Sequence, residues 1–158
     1  MHRKSTIFFG LLSLWFFTAC DSTRIFEDNQ AIENAIWNAK KPVIFGVDIN
    51  DTLTACNFYM NIRHAEAYPF SNLYVFLNTK FPNGQMARDT VELLLQNPDG
   101  KWGGSGLGDI WDHQIRFKQN LRFPMKGHYE FSVIQAMQME NLPAIMEVGL
   151  RIERFGEN

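Results

Sequence analysis

Cysteine is scarce in this chain: Cys20 and Cys56 are the only two among 158 residues. An exported protein would ordinarily use such a pair as one disulfide. Charge of one sign is also missing, since a formal net charge of −2 leaves no electrostatic footprint for nucleic acid. No apolar run reaches the roughly 18 residues that a membrane-spanning helix needs. Helical periodicity is weak, and neither internal repeats nor low-complexity tracts occur. Chemistry-bearing motifs are equally thin. The chain has no Gly-x-Ser-x-Gly elbow and no His-Glu-x-x-His helix. His64, His113 and His128 stand apart from Cys20 and Cys56 and from one another, so none has metal-ligand spacing. They read as scattered surface or internally satisfied side chains. A carboxylate pair from distant parts of the chain stays open, but nothing local suggests one. These absences assign no catalytic residue, no metal and no cofactor, and they describe a non-enzyme.

What is present begins at the N-terminus. Met1-His-Arg-Lys4 is basic, Ile7–Phe17 is apolar, and Thr18-Ala19-Cys20 supplies a small residue before a cysteine. Basic, apolar and small-residue segments in this order make a secretory signal, here residues 1–19. Phe17-Thr-Ala-Cys20 also resembles the lipobox of bacterial lipoproteins, with Phe17 bulkier than the usual aliphatic residue. That resemblance implies cleavage before Cys20 and acylation of its thiol, with palmitate-type chains holding the protein in a bilayer. One acyl chain binds marginally, whereas two or three anchor stably. The alternative is an ordinary secreted protein with an incidental cysteine. Lipidation consumes Cys20 and leaves Cys56 alone, where its alternation with Phe58, Met60 and Ile62 reads as a small buried hydrophobe. Residues 20–25 are expected to serve as anchor and short tether, and residues 26–158 as a single domain.

In that domain, apolar residues recur with period two, the pattern of half-buried strands. Val43, Phe45, Val47 and Ile49 form one set. Others are Phe58, Met60 and Ile62; Leu73, Val75 and Leu77; Val91, Leu93 and Leu95; Tyr129, Phe131 and Val133; and Val148, Leu150 and Ile152. Pro82-Asn-Gly84, Asn97-Pro-Asp-Gly100, Lys126-Gly127 and Asn141-Leu-Pro143 mark turns between them. The pattern predicts an all-β fold, an antiparallel two-sheet β-sandwich of jelly-roll-like form. Asp28–Lys40 reads as one helical turn or as an irregular arm packing Ile32 and Trp37. Asp89 reads as a turn residue at the entrance to a strand.

The conspicuous segment is Asp99-Gly-Lys-Trp-Gly-Gly-Ser-Gly-Leu-Gly-Asp-Ile-Trp-Asp112, with four glycines in positions 103–108. It lacks the Lys-Ser/Thr of a phosphate cradle and the spacing of a dinucleotide fingerprint. Asp99, Asp109 and Asp112 are too few and wrongly spaced for an EF-hand. Two readings stay open: a glycine-rich connection whose Trp102 and Trp111 plug the core, or a recognition loop for a partner or sugar. The recognition reading uses Trp102, Gly104, Gly106, Asp109 and Trp111. Tyr59 and Tyr74 are expected to be solvated aromatics available to partners.

Several short segments together resemble the gliding-motility lipoprotein GldH family. They are Asn61-Ile-Arg63 with Tyr68-Pro-Phe-Ser-Asn-Leu73, Asp89-Thr-Val-Glu92, and Asp99-Gly-Lys-Trp-Gly-Gly104 with Gly106-Leu-Gly-Asp109. Phe123-Pro124, Gly127-His-Tyr-Glu-Phe131, Gln135-Ala-Met137 and Val148-Gly-Leu-Arg-Ile152 complete the series. Gln138 departs from it, since the family commonly has Arg there. The resemblance implies a non-catalytic scaffold lipoprotein of the cell envelope, expected at the outer membrane. Its partners would be the bilayer, through acylated Cys20, and other envelope proteins of the gliding and associated secretion machinery. A carbohydrate-binding module is the alternative.

Overall fold

The computed structural model describes residues 22–156; Cys20 and the expected signal segment 1–19 lie outside them. Among the described residues the structure is all-β, with one 3₁₀ turn, Glu33–Ala35, as the only helical piece. The long strands are β1 (Arg24–Ala31), β3 (Val43–Ile49), β4 (Cys56–Ala65), β5 (Asn72–Lys80), β6 (Met86–Leu94), β8 (Ile110–Leu121), β9 (Gly127–Gln135) and β11 (Ile145–Arg154). Three short strands, β2 (Ile36–Asn38), β7 (Ser105–Leu107) and β10 (Asn141–Pro143), sit in the connections.

All pairing is antiparallel, in three sheets: β1-β11-β4-β8-β7, β3-β9-β5-β6, and the small β10-β2 pair. The inward sets that alternation predicts on β3, β4, β5, β6, β9 and β11 are all buried. On β3, Val43, Phe45, Val47 and Ile49 are buried while Ile44, Gly46 and Asp48 are exposed. The two larger sheets share one apolar core. Phe58 of β4 lies 5.5 Å from Phe123 and 6.4 Å from Phe131 of β9, ring centre to ring centre, and Phe26 of β1 meets Phe45 of β3 edge-on. Burying each such phenyl ring contributes about 1.5–3 kcal/mol. Cys56 is buried, and that burial raises its thiol pKa, so it behaves as a small core residue.

Two expectations are corrected, and two stretches that the sequence left open take a definite form. Asp89 is no turn residue: β6 starts at Met86, and Asp89 sits mid-strand, half-buried, accepting from Lys118 Nζ at 2.6 Å. Arg24 and Ile25 belong to β1 rather than to a tether. The stretch Asp28–Lys40 divides between β1, the 3₁₀ turn and β2, with Trp37 buried and donating from Nε1 to Lys41 O at 3.1 Å. The glycine-rich segment leads into a twelve-residue strand, β8, in which His113 is buried and Trp111, Ile115 and Phe117, at the same parity, are half-buried. A histidine in that set concealed it.

Because the chain passes repeatedly from sheet to sheet, its connections gather at two ends. The near end holds Thr23, where the described chain begins, and the connections 50–55, 81–85 and 122–126. The far end holds the connections 32–42, 66–71, 95–109 and 136–144, with all three short strands.

Candidate functional site

The far end carries the glycine-rich segment. Asn97-Pro-Asp-Gly100 turns back on itself: Gly100 N–H donates to Asn97 O at 2.9 Å, and Asn97 N–H donates to Lys101 O at 2.8 Å. Gly100 holds φ at +80°, the left-handed conformation such a turn requires. The chain then forms β7 and returns through Gly108-Asp109 into β8. Close approach explains two glycines. A Cβ on Gly104 would stand 2.2 Å from the carbonyl oxygen of Asp112, and one on Gly106 would stand 2.7 Å from the Trp111 ring. Gly104 and Gly106 thus serve the packing of β7 against β8.

Trp102 is half-buried against the core and sits over His64, ring centres 4.4 Å apart, with Tyr68 beyond it at 6.4 Å. Trp111 is also half-buried, and its Nε1 donates to Glu66. Asp109 is exposed, and its carbonyl accepts from Glu66 N–H at 2.7 Å. The three acids of the segment diverge: Asp99 pairs with Lys101, Asp112 with Arg63, and Asp109 projects from the hairpin tip. Trp102 therefore follows the core-plugging reading, whereas Trp111 packs beside Gly106 and Glu66; each leaves some surface exposed.

Sequence reading missed a histidine pair beneath this segment. His64 on β4 and His113 on β8 are both buried, with Nε2 atoms 3.0 Å apart and rings stacked at 5.0 Å. His64 Nδ1 lies 2.8 Å from Ala65 O, which can only accept. His64 therefore carries its proton on Nδ1 and accepts at Nε2 from His113 Nε2–H. Burial lowers the pKa of both rings, and the neighbouring His64 adds to the effect on His113, which falls to about 4. Each histidine occupied an inward parity position in its strand, and that was the available signal. His128 instead lies on the surface, 2.8 Å from Asp48.

Beside the histidines the far end opens into a groove of about 500 Å³ among Phe70, Tyr74, Met137, Gln138 and Met139. Gln135, buried at the end of β9, shapes it. Its Nε2 donates to Met139 O at 2.7 Å and its Oε1 accepts from Met137 N–H at 2.9 Å, fixing the 136–140 turn. Tyr74 and Met139 remain exposed, Phe70 stacks edge-on against Tyr68, and Tyr68 links the groove to Trp102.

Comparison with known proteins gives one consistent result. The model of the GldH lipoprotein family matches residues 24–152, nearly all of the described chain. The chain belongs to the GldH lipoprotein family. It is similar to a gliding motility lipoprotein GldH homolog of Christiangramia forsetii, 30% identical over 161 residues and covering 98% of each chain. It is 31% identical over 151 residues to the gliding motility lipoprotein GldH of Flavobacterium johnsoniae, covering 91% of this chain and 93% of that one. No solved structure matches.

Several segments that carry the GldH resemblance are distant in sequence and meet at the far end. Arg63 forks onto Asp112 at 2.7 Å and reaches Glu147 at 2.6 Å. Tyr68 lies under Trp102, Gly104 lies against Asp112, and Gln135 holds the Met137 turn. Gln138 is exposed on the groove, so the side chain at this position faces solvent. Tyr59, by contrast, lies on the outer face of the five-stranded sheet, half-buried.

Proposed function

We infer that this protein is a lipid-anchored, non-catalytic scaffold of the cell envelope that engages gliding-motility and associated secretion components through its far end. The observation that carries this reading is the far-end groove of Phe70, Tyr74, Met137 and Met139, with half-buried Trp102 held near it through the buried ring of Tyr68. Aromatic and methionine side chains of this kind anchor protein interfaces, because each brings large apolar area at modest entropic cost. Family membership supplies the lipoprotein character, and the sequence assigns the acylated residue to Cys20, with the outer membrane as the expected site. The fold suits the task. Its eight long strands follow the jelly-roll winding: first, eighth, third and sixth in one sheet; second, seventh, fourth and fifth in the other. A closed two-sheet sandwich of this type offers rigid support for loops.

The test is gentle detergent extraction of tagged protein, with mass spectrometry of whatever co-purifies and a Cys20→Ala control. Recovery of motility or secretion components with the anchored protein, lost without the anchor, supports the reading. Recovery of a lipidated protein alone contradicts it.

A second reading, glycan binding, draws on the outer face of the five-stranded sheet. There Gln114 Nε2 donates to Asn61 Oδ1 at 3.1 Å, and Asn61 Nδ2 donates to Glu27 and Asn29, each at 3.0 Å. This amide ladder lines a depression of about 320 Å³, and planar amides bond well to sugar hydroxyls. An absence of binding on a polysaccharide array would remove this reading.

A further inference from the structure

We propose that the near end of the domain is a bilayer-contact surface, with Leu53, Leu121 and Phe155 seated at the lipid interface beside Arg122 and Lys126. The inference rests on lipidation of Cys20 and goes beyond it by fixing the face turned to the membrane.

The near-end residues form one continuous patch around the start of the described chain. Arg154 N–H donates to Thr23 O, and Phe155 N–H donates to Ala55 O, each at 2.8 Å. Arg122 Nε donates to Leu53 O at 2.8 Å, and Leu121 pairs across the sheet with Cys56. Leu53 is 82% exposed, Phe155 45% and Leu121 44%, so three large apolar side chains surround the point where the chain emerges. Arg122 and Lys126 are exposed at the same end and form no ion pair among the described residues. Cations beside exposed apolar groups suit the interface, where the apolar groups leave water and the cations meet lipid phosphates. Asp51 is the acid within the same loop. It is occupied by Thr54 Oγ1–H and by the backbone N–H groups of Leu53 and Thr54.

Chain length selects the occupant. Cys20 precedes Arg24 by four residues, a span of at most about 14 Å even when fully extended. The ten residues of β4 carry the fold about 30 Å from one end to the other. An acyl anchor on Cys20 therefore keeps the near end within about 14 Å of the lipid and leaves the far end on the opposite side. Exposed Leu107, at 86%, sits on the far-end hairpin, at the opposite end of the strands.

The experiment uses the lipidated full-length chain in phosphatidylethanolamine–phosphatidylglycerol vesicles carrying nitroxide-labelled lipid. A bimane fluorophore is attached at Leu53→Cys or at Leu107→Cys, each in a Cys56→Ala background with an unchanged circular dichroism spectrum. Mass spectrometry of the N-terminal peptide reports the lipid in the same sample. Severalfold quenching at position 53, with none at position 107, is the expected result. A lipidated peptide with position 53 unquenched, or with both positions quenched equally, overturns the orientation alone. A peptide without lipid overturns the anchor and the orientation together.

Discussion

The two ends of the molecule are built from the same strands and differ in almost everything the connections add. At the near end the chain turns in the short segments 50–55, 81–85 and 122–126, each closed by local hydrogen bonds. At the far end the connections are 32–42, 66–71, 95–109 and 136–144, which carry three extra strands and Trp102 and lie beside Trp111 and the histidine pair at the strand ends. Short loops meet the minimum needed to close a sandwich, whereas long ordered loops with strands of their own signal a surface put to use. The difference shows that the extra structure is concentrated at one end of the sandwich.

Phe58→Ala should cause the largest effect, because Phe58 touches Phe117, Phe123 and Phe131 at the centre of the near-end core. A loss of about 3–5 kcal/mol in urea unfolding is expected. At the far end Gly104→Ala should cost about 2–3 kcal/mol, since its Cβ meets backbone that cannot swing away. If Gly104→Ala left both stability and partner recovery unchanged, the far end would be looser than described.

Acidification offers a third probe. Unfolded histidines take up protons near 6.5, whereas His113 in the fold does so only near about 4. Between these values the unfolded state binds more protons, so stability falls as pH drops from 6.5 towards 4. Thermal melts across that range should show the loss, and His113→Gln should flatten the dependence. A wild-type midpoint insensitive to pH in that window would contradict the buried neutral pair.

Smaller still are the expected stability effects of Trp102→Ala and Tyr74→Ala. Trp102 is partly exposed and should cost about 1–2 kcal/mol, and exposed Tyr74 less than about 0.5 kcal/mol. Both should nevertheless abolish co-purification of partners. Trp102→Ala with normal folding and normal partner recovery would sink the role given to the glycine-tryptophan segment.

Much of this fold was legible from alternation, because one buried face forces a period of two on each strand. Val43–Ile49 and Tyr129–Val133 show it plainly. Strand β8 escaped because His113 occupies an inward position that a count of apolar residues skips. Asp89 escaped because a carboxylate on the inward side of β6 reads as a terminus until Lys118, from the other sheet, is seen to meet it. The candidate site was half visible. Trp102, Gly104, Gly106, Asp109 and Trp111 announced a segment with unusual packing, yet only the fold shows that Gly104 and Gly106 face β8 and its Trp111. The groove was invisible, since Phe70, Tyr74 and Met137 come together only through the crossings at the far end and the hold of Gln135 on its turn.

Site-specific photo-crosslinking in intact cells tests the division between the two ends most directly. A photoreactive amino acid would replace Gln138 on the far-end groove or Leu53 at the near end. The account predicts discrete protein adducts from position 138, with lipid adducts and no discrete protein partner from position 53. Protein adducts from position 53 with none from position 138 would contradict it.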